Sequence, residues 1–415
     1  MRQVLILGAD GFIGRHLAFA LRDAGWQVKA QARNPARLAA MGFAILKADL
    51  TDPATHSPGF WAPHLPEGAA LINAAGLLTG SEASFAAVHR DAPRAALQAL
   101  NGPTVLISAV GIKAGTPFAR WRRETEKMFT GHCILRPGLV LGDTSYGGSS
   151  LLRALAALPL HLPVVGDGQQ PFNPIHAADL AEVVAECLDN PTPGTWEIGG
   201  PEVVTQADLL SGYRSWLGLR PVPRLHLANG IARAVGRLGD MLRLGPISAT
   251  SVAQLQVGVL AEPAPLLVRI TTRPRGVTTF LNARPAGTQD LWQARLYLLK
   301  PLIRLALAAM WLASAALGLF LPAAEFLPRL GALPGWVLET MARAGGIADL
   351  ALGLALLRDW RPKRVAQAQI ALVAAYTAGL TLIAPGLWLD PFGGLLKNLP
   401  VLALLLVHLA LAEER

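Results

Sequence analysis

The stretch Val4-Leu5-Ile6-Leu7-Gly8-Ala9-Asp10-Gly11-Phe12-Ile13-Gly14 decides the fold. Four apolar residues in a row, closed by glycine, suit a strand buried on both faces of a parallel sheet. Beyond them Phe12, Leu17 and Leu21, with alanines between, follow a helical period. The three glycines therefore sit on a strand-to-helix turn. There they permit a tight turn, a close approach of backbone to pyrophosphate and close packing of helix on strand, with helix N–H groups facing the anion. Three glycines alone signal little. With a strand before them, a helix after them and a start at residue 4, they predict a dinucleotide-binding α/β domain.

The 415 residues leave room for more than one domain. They are 52% hydrophobic and only 16% charged, with a mean hydropathy of +0.38, which points to membrane segments. The net charge is +9, but the lysines and arginines are dispersed. No basic run is interleaved with aromatics, so nucleic acid is not an expected partner. Loop charges beside membrane helices account for the balance. Cys133 and Cys187 each fall in an apolar segment and read as buried reduced thiols, with no metal site. No signal peptide precedes the first strand, so the N-terminal domain is expected to stay in the cytoplasm.

The spacing is Gly-x-x-Gly-x-x-Gly and continues as Gly11-Phe12-Ile13-Gly14-Arg15-His16-Leu17. It resembles the extended and atypical branches of the short-chain dehydrogenase/reductase superfamily, the NAD-dependent epimerase/dehydratase-like proteins, over roughly the first half of the chain. The resemblance implies that Gly8, Gly11, Phe12, Ile13 and Gly14 hold the dinucleotide. A second strand, Gln27 to Gln31, leads into Ala32-Arg33-Asn34, without the carboxylate that holds the ribose hydroxyls of NAD. Arg33 is placed to meet a 2′-phosphate, which favours NADP(H) over NAD(H). The bland reading makes it a solvated loop arginine.

A third strand, Ala44 to Lys47, ends in Asp49-Leu50, where the family's Asp contacts the adenine. Asp49 also reads as a helix N-cap before Pro53. A fourth strand, Ala69 to Ile72, leads into Asn73-Ala74-Ala75-Gly76. That segment resembles the one whose small residues let the family's backbone approach the cofactor's ribose. Thr104 to Ile107 ends at Ser108, which in the family orients the substrate carbonyl, and in isolation is a strand-end turn serine. The family's catalytic pair is a Tyr with a Lys four residues on, one helical turn apart. Here Pro117-Phe118-Ala119-Arg120-Trp121-Arg122 puts Phe118 and Arg122 at those positions. None of Tyr146, Tyr213, Tyr297 or Tyr376 has a Lys four residues later. Phenylalanine donates no proton, and a positioned general acid contributes about 10²–10⁴-fold. The sixth strand, Ile134-Leu135-Arg136-Pro137-Gly138, resembles the family segment closing over the nicotinamide, with Arg136, Pro137 and Gly138 nearest. Asp179 reads as a structural helix-start cap, and Gly199-Gly200-Pro201 as the turn into a small substrate lobe.

Leu225 to Arg243 carries Leu227, Ile231, Val235, Leu238 and Met241-Leu242 on one helical stripe, with Arg233, Arg237 and Asp240 opposite. Either it packs on the lobe or it lies at a bilayer surface. Glu262 to Arg284, broken by prolines, reads as a connector. From Pro301 apolar stretches run over Leu302–Leu321, Trp336–Leu357, Val365–Pro385 and Leu395–Ala412, four spans by length. Arg295, Lys300, Arg304, Arg358, Arg361, Lys363 and Arg364 then face the cytoplasm with the C-terminus, and Arg329 and Lys397 face outward. Glu339 and Arg343, one turn apart, pair; Asp349 inside the second span is a functional candidate. With the turn Pro385 to Asn398, this tail resembles the DoxX-like family of four-helix membrane proteins, a tail found fused to atypical short-chain dehydrogenases.

The expected fold is a doubly wound parallel sheet with a small substrate lobe, followed by an all-α four-helix transmembrane domain. The boundaries are 1–220 for the dinucleotide-binding domain, 221–294 for the rest of the lobe, amphipathic helix and linker, and 295–415 for the membrane domain. One function is a membrane-anchored NAD(P)H-binding oxidoreductase of a quinone or isoprenoid-type compound, in the cytoplasmic (inner) membrane. The other is a non-catalytic NADP(H)-binding assembly or stabilising factor for a respiratory or quinone-related complex. It is similar to the complex I accessory subunit that has lost the tyrosine.

Overall fold

Val4 and Ile6 enter one apolar core while Leu5 and Leu7 enter a second. Strand β1 (Gln3–Leu7) is thus covered on both faces, which is why its apolar run is unbroken. The computed structural model describes residues 2–78, 80–112, 115–245, 247–326, 334–391 and 393–413. The neighbours of β1 are β2 (Gln27–Ala32), β3 (Ala44–Lys47), β4 (Ala70–Asn73), β5 (Thr104–Ile107), β6 (Cys133–Pro137) and β7 (Gly194–Ile198). They form a seven-stranded sheet in the order β3-β2-β1-β4-β5-β6-β7, every pair parallel. Val4 sits between Val28 and Ala70, so the carboxyl ends of β1, β2 and β4 share one edge.

Helices Phe12–Asp23 and Ala177–Asp189 cover one face with Leu17, Leu21, Leu180 and Val184. Trp61, Ala92, Ala95 and Ala96 cover the other. Cys133 and Cys187 are free and buried, their side chains hydrogen-bonded to each other. The small lobe is built from later segments around Leu141, Leu152, Leu162, Leu210, Tyr213 and Phe280.

Three local readings change. Leu225 to Leu227 belong to a strand, Arg224–Leu227, parallel to Leu162–Val165, and the helix begins only at Asn229. Hydrogen bonding to the lobe's edge overrides the helical period there. Glu262 to Arg284 is packed: Leu266 and Ile270 enter the main core, and two short helices, Ala264–Leu267 and Val277–Asn282, lie within it. Asp179 is structural, but not as a cap. Its buried carboxylate accepts from the Arg275 backbone N–H at 2.8 Å and from the guanidinium at 2.6 and 2.9 Å, while His176 caps the helix.

The chain divides into two compact units, Met1–Gly236 with Ala249–Leu291, and Arg237–Ser248 with Trp292–Arg415. The second holds helices Gly335–Leu357, Pro362–Ile383 and Asn398–Leu411 and most of Thr288–Phe320. Among the described residues three helices are long and apolar enough to cross a membrane; Asn398–Leu411, at 14 residues, is shorter. The first two approach closely at glycines: a Cβ on Gly346 would lie 3.0 Å from the Gly318 carbonyl carbon. Arg343 pairs with Glu339 at 3.3 Å and donates to the Gly318 and Leu321 carbonyls, capping the first helix. Asp349 is buried and accepts from Ser314 at 2.6 Å and Tyr376 at 3.4 Å. Arg329 lies outside the described residues.

Candidate functional site

The glycine turn is built by contacts that only glycine allows. Gly8 has φ +73°, and a Cβ there would lie 2.8 Å from Ala75 Cα; one on Gly14 would lie 2.1 Å from the Gly8 carbonyl oxygen. Helix Phe12–Asp23 starts from Gly11 with no side-chain cap and no acid in its first turn. That leaves its amide end to an anion. Gln31, buried at the end of β2, accepts from the Gly8 N–H at 2.8 Å and donates to the Ala48 carbonyl at 2.7 Å. It pins the turn to the ends of β2 and β3. Ile13 packs against the core that Leu17 joins.

Arg33 is exposed just past β2. Two further cations gather near the turn, Arg15 and Arg37; burial lowers the Arg15 pKa and the charge on Arg37 lowers it further. The clue in the sequence is spacing: Arg15 follows Gly14, and Arg37 lies four residues after Arg33. Asp49 is exposed and accepts from the Thr51 N–H at 2.9 Å and hydroxyl at 2.8 Å. The Thr51 N–H bond above all, with Arg33 contributing, holds its carboxyl below the ordinary range. It is not the cap before Pro53; Asp52 is, accepting from Ala54. Leu50 is buried beneath.

Asn73 is buried with its Oδ1 accepting from Ala75 N–H at 3.1 Å, and Ala74 N–H donates to the Leu7 carbonyl. Arg122 donates through both Nη atoms to the Ala75 carbonyl at 3.2 Å. A Cβ on Gly76 would strike that guanidinium at 2.5 Å. Phe118, Arg122 and Glu126 share the buried face of helix Pro117–Met128, whose first turn Thr116 caps. The Arg122 guanidinium lies 5.5 Å from the Phe118 ring. Burial pulls its pKa down to about 10, opposed by Glu126. Behind it His89 accepts from the Leu77 N–H, and burial, aided by the Arg122 charge, pulls its imidazole down to about 3.

Ser108 donates to Glu126 at 2.5 Å, and Glu126 also takes two bonds from Arg136, at 2.9 and 2.5 Å. Glu126 was not a sequence candidate, although it stands four residues after Arg122 on the same face. Pro137 is buried, and Gly138 donates to the Ile198 carbonyl beside Asn173. A second cleft adjoins through Gly142, which packs on Phe12 and His16. It is lined by Arg153, His176, Tyr213, Trp216 and Arg284. Its charges are matched: Arg284 holds Asp290 at 2.9 Å and Asp143 at 3.0 Å. Among the described residues no cluster could hold a metal ion.

Residues 308–406 match the DoxX-like family model. The chain ends in a DoxX-like domain. Ahead of that domain the seven-stranded parallel sheet flanked by helices is Rossmann-like. The chain is similar to the crystal structure of gox2253, at 19% identity and a TM-score of 0.50, covering 68% of this chain and 95% of that one. Pal from Bacillus thuringiensis is similar at 13% identity and a TM-score of 0.50, covering 71% and 98%. UDP-glucuronic acid 4-epimerase from Bacillus cereus, solved with UDP-glucuronic acid and NAD, stands at 16% identity and a TM-score of 0.45, covering 71% and 98%. For the two at a TM-score of 0.50 the likeness is one of fold alone. No curated protein matches the sequence. The DoxX-like domain and the apolar helices make this a membrane-associated chain.

Proposed function

We propose that the chain is a membrane-anchored NAD(P)H-binding protein of oxidoreductase type that acts on a quinone or isoprenoid-like compound. The observation that carries it is the uncapped amide end of helix Phe12–Asp23 behind the Gly8–Gly14 turn. Gly8, Gly11 and Gly14 with Phe12 and Ile13 would hold the pyrophosphate. Asp49 and Leu50 would meet the adenine, the Asn73–Gly76 segment the ribose, and Arg136, Pro137 and Gly138 the nicotinamide end. Arg33, exposed just past β2, supports NADP(H) over NAD(H). A bound nicotinamide would supply hydride.

Proton supply separates substrates. Phe118 has no acidic hydrogen, Arg122 is committed to the Ala75 carbonyl, and the Ser108 hydroxyl donates to Glu126. None of these supports protonation of a ketone oxygen. Reduced quinone oxygens are more stable anions and take protons from water, so quinones fit better. The same three facts favour the second reading, a non-catalytic NADP(H)-binding assembly factor of a respiratory or quinone-related membrane complex.

The test is NADPH titration and oxidation by the full chain in nanodiscs against ketones, aldehydes and quinones, with Gly11→Val alongside. Tight binding lost in folded Gly11→Val, and turnover of quinones alone, is the expected result. Binding without turnover selects the assembly factor, and unchanged affinity in the variant overturns the cofactor site. We also propose that the cations around the first apolar helix and Arg358 to Arg364 face the cytoplasm of a multi-pass inner-membrane protein.

A further inference from the structure

Helix Asn229–Met241 is packed the wrong way round for a core helix. Its buried side is made of small residues, Ala232, Gly236 and Gly239, and a Cβ on Gly239 would lie 1.8 Å from the Ile247 carbonyl oxygen. Its large apolar residues face outward in a stripe: Ile231 is 56% exposed, Val235 46%, Leu238 49% and Met241 72%. Burying one such side chain is worth about 1.5–3 kcal/mol, so a contiguous stripe left outside marks an interaction surface. Arg233 and Arg237 lie on the other side of the helix.

What covers the stripe is indicated by the anchoring of its last turn. The Leu242 carbonyl accepts from Arg304, midway along helix Thr288–Phe320, where its polar first half gives way to the apolar run. Arg243 donates to the Arg358 carbonyl at 3.0 Å, just past the second apolar helix. Arg304 pairs with Asp359 at 3.1 Å, and Trp360, beside them, is 57% exposed, as in an interfacial aromatic belt. The end of the helix is thus tied to charged residues that flank the apolar runs of the first two membrane helices. Thirteen residues make a rod of about 20 Å, apolar on one side and basic on another, which is the form of an interfacial helix.

We propose that helix Asn229–Met241 lies along the bilayer surface on its Ile231–Val235–Leu238–Met241 stripe. The occupant of this surface is lipid, not a protein partner. The test uses the full chain, one copy per nanodisc of phosphatidylethanolamine and phosphatidylglycerol. A bimane label is placed at Leu238→Cys, at Val235→Cys as an independent site, and at Arg233→Cys as the opposite-face control. The native cysteines are buried and leave the label to the new thiols. Shallow doxyl lipids should quench Leu238→Cys and Val235→Cys several-fold more than Arg233→Cys, with iodide in the water showing the reverse order. Equal lipid quenching at all three sites, or equal access to iodide, overturns the proposal. Shielding of Leu238→Cys from both quenchers overturns it too, since a protein then covers the stripe.

Discussion

At position 122 a buried guanidinium sets what the side chain can reach. It bridges to the Ala75 carbonyl and stands against Gly76, and its charge helps keep His89 neutral. That has a measurable consequence. The unfolded chain protonates His89 near 6.5, whereas the folded protein holds it neutral down to about 3. The unfolded state therefore binds more protons below that upper value. This contribution is complete above pH 6.5, is lost steadily as pH falls, and levels off only near 3. Between pH 7.5 and pH 5 the loss is about 2 kcal/mol. Thermal midpoints in detergent should drop less over that range for His89→Gln than for the unmodified protein; equal drops would remove His89 as the cause. Arg33 can be tested in the same direct way. Arg33→Glu removes a phosphate partner and restores an acid for ribose hydroxyls, which should move the preference toward NAD by about 1.5–3 kcal/mol. An unchanged ratio of NADP to NAD affinity would make Arg33 a bystander. Sequence alone could not order these roles. Asp49 and Asp52 stand three residues apart with similar chemistry, and only the hydrogen bonds to Thr51 and Ala54 tell the turn residue from the cap. Glu126 meets Ser108 and Arg136 across the sheet's edge, a proximity no local spacing encodes.

At the scale of elements, legibility followed burial. Strands covered on both faces show as unbroken apolar runs, so β1 and its partners can be read from the chain to within a residue or two. Elements whose partner is distant in sequence cannot: Arg224–Leu227 is a strand only because Leu162–Val165 lies beside it. The apolar helices are legible as lengths, but their spacing is set by glycines that hydropathy does not weigh. Gly346 meets Leu319 at 2.9 Å and the Gly318 backbone at 3.0 Å for a Cβ added to it. Close backbone approach of this kind is a main source of helix association in lipid. Gly346→Val should therefore push the first two helices apart and lower the thermal midpoint in detergent, while Gly379→Val, at a position with open space around it, should not. Equal midpoints for the two variants would mean that the helices are not held by this contact.

For the whole molecule the fourth helix decides which ends of the helices share a side. Asn398–Leu411 has 14 residues, about 21 Å of helix against about 30 Å of hydrocarbon. Length by itself would leave it half-way. Two features extend it. The turns Pro385–Leu389 and Leu395–Lys397 occupy the connection from the third helix, so that part of the return path precedes the helix. At the other end Lys363, in the first turn of the third helix, pairs with Glu413, past the end of the fourth. A chain that leaves from Lys363 and comes back to it fits two crossings, which we propose for the third and fourth helices. Arg358, Arg361 and Arg364 stand beside that point, and such clusters of positive charge mark the cytoplasmic side. Reporter fusions placed after Arg364 and after Arg415 should therefore both read cytoplasmic, and the protein should resist carbonate extraction. A cytoplasmic reading after Arg364 with an external one after Arg415 would mean that the last helix does not cross and that the Lys363–Glu413 pair does not form in the bilayer. External readings at both would instead reverse the membrane orientation and place the glycine turn's domain away from cellular NADPH, which would remove the proposed function along with the topology.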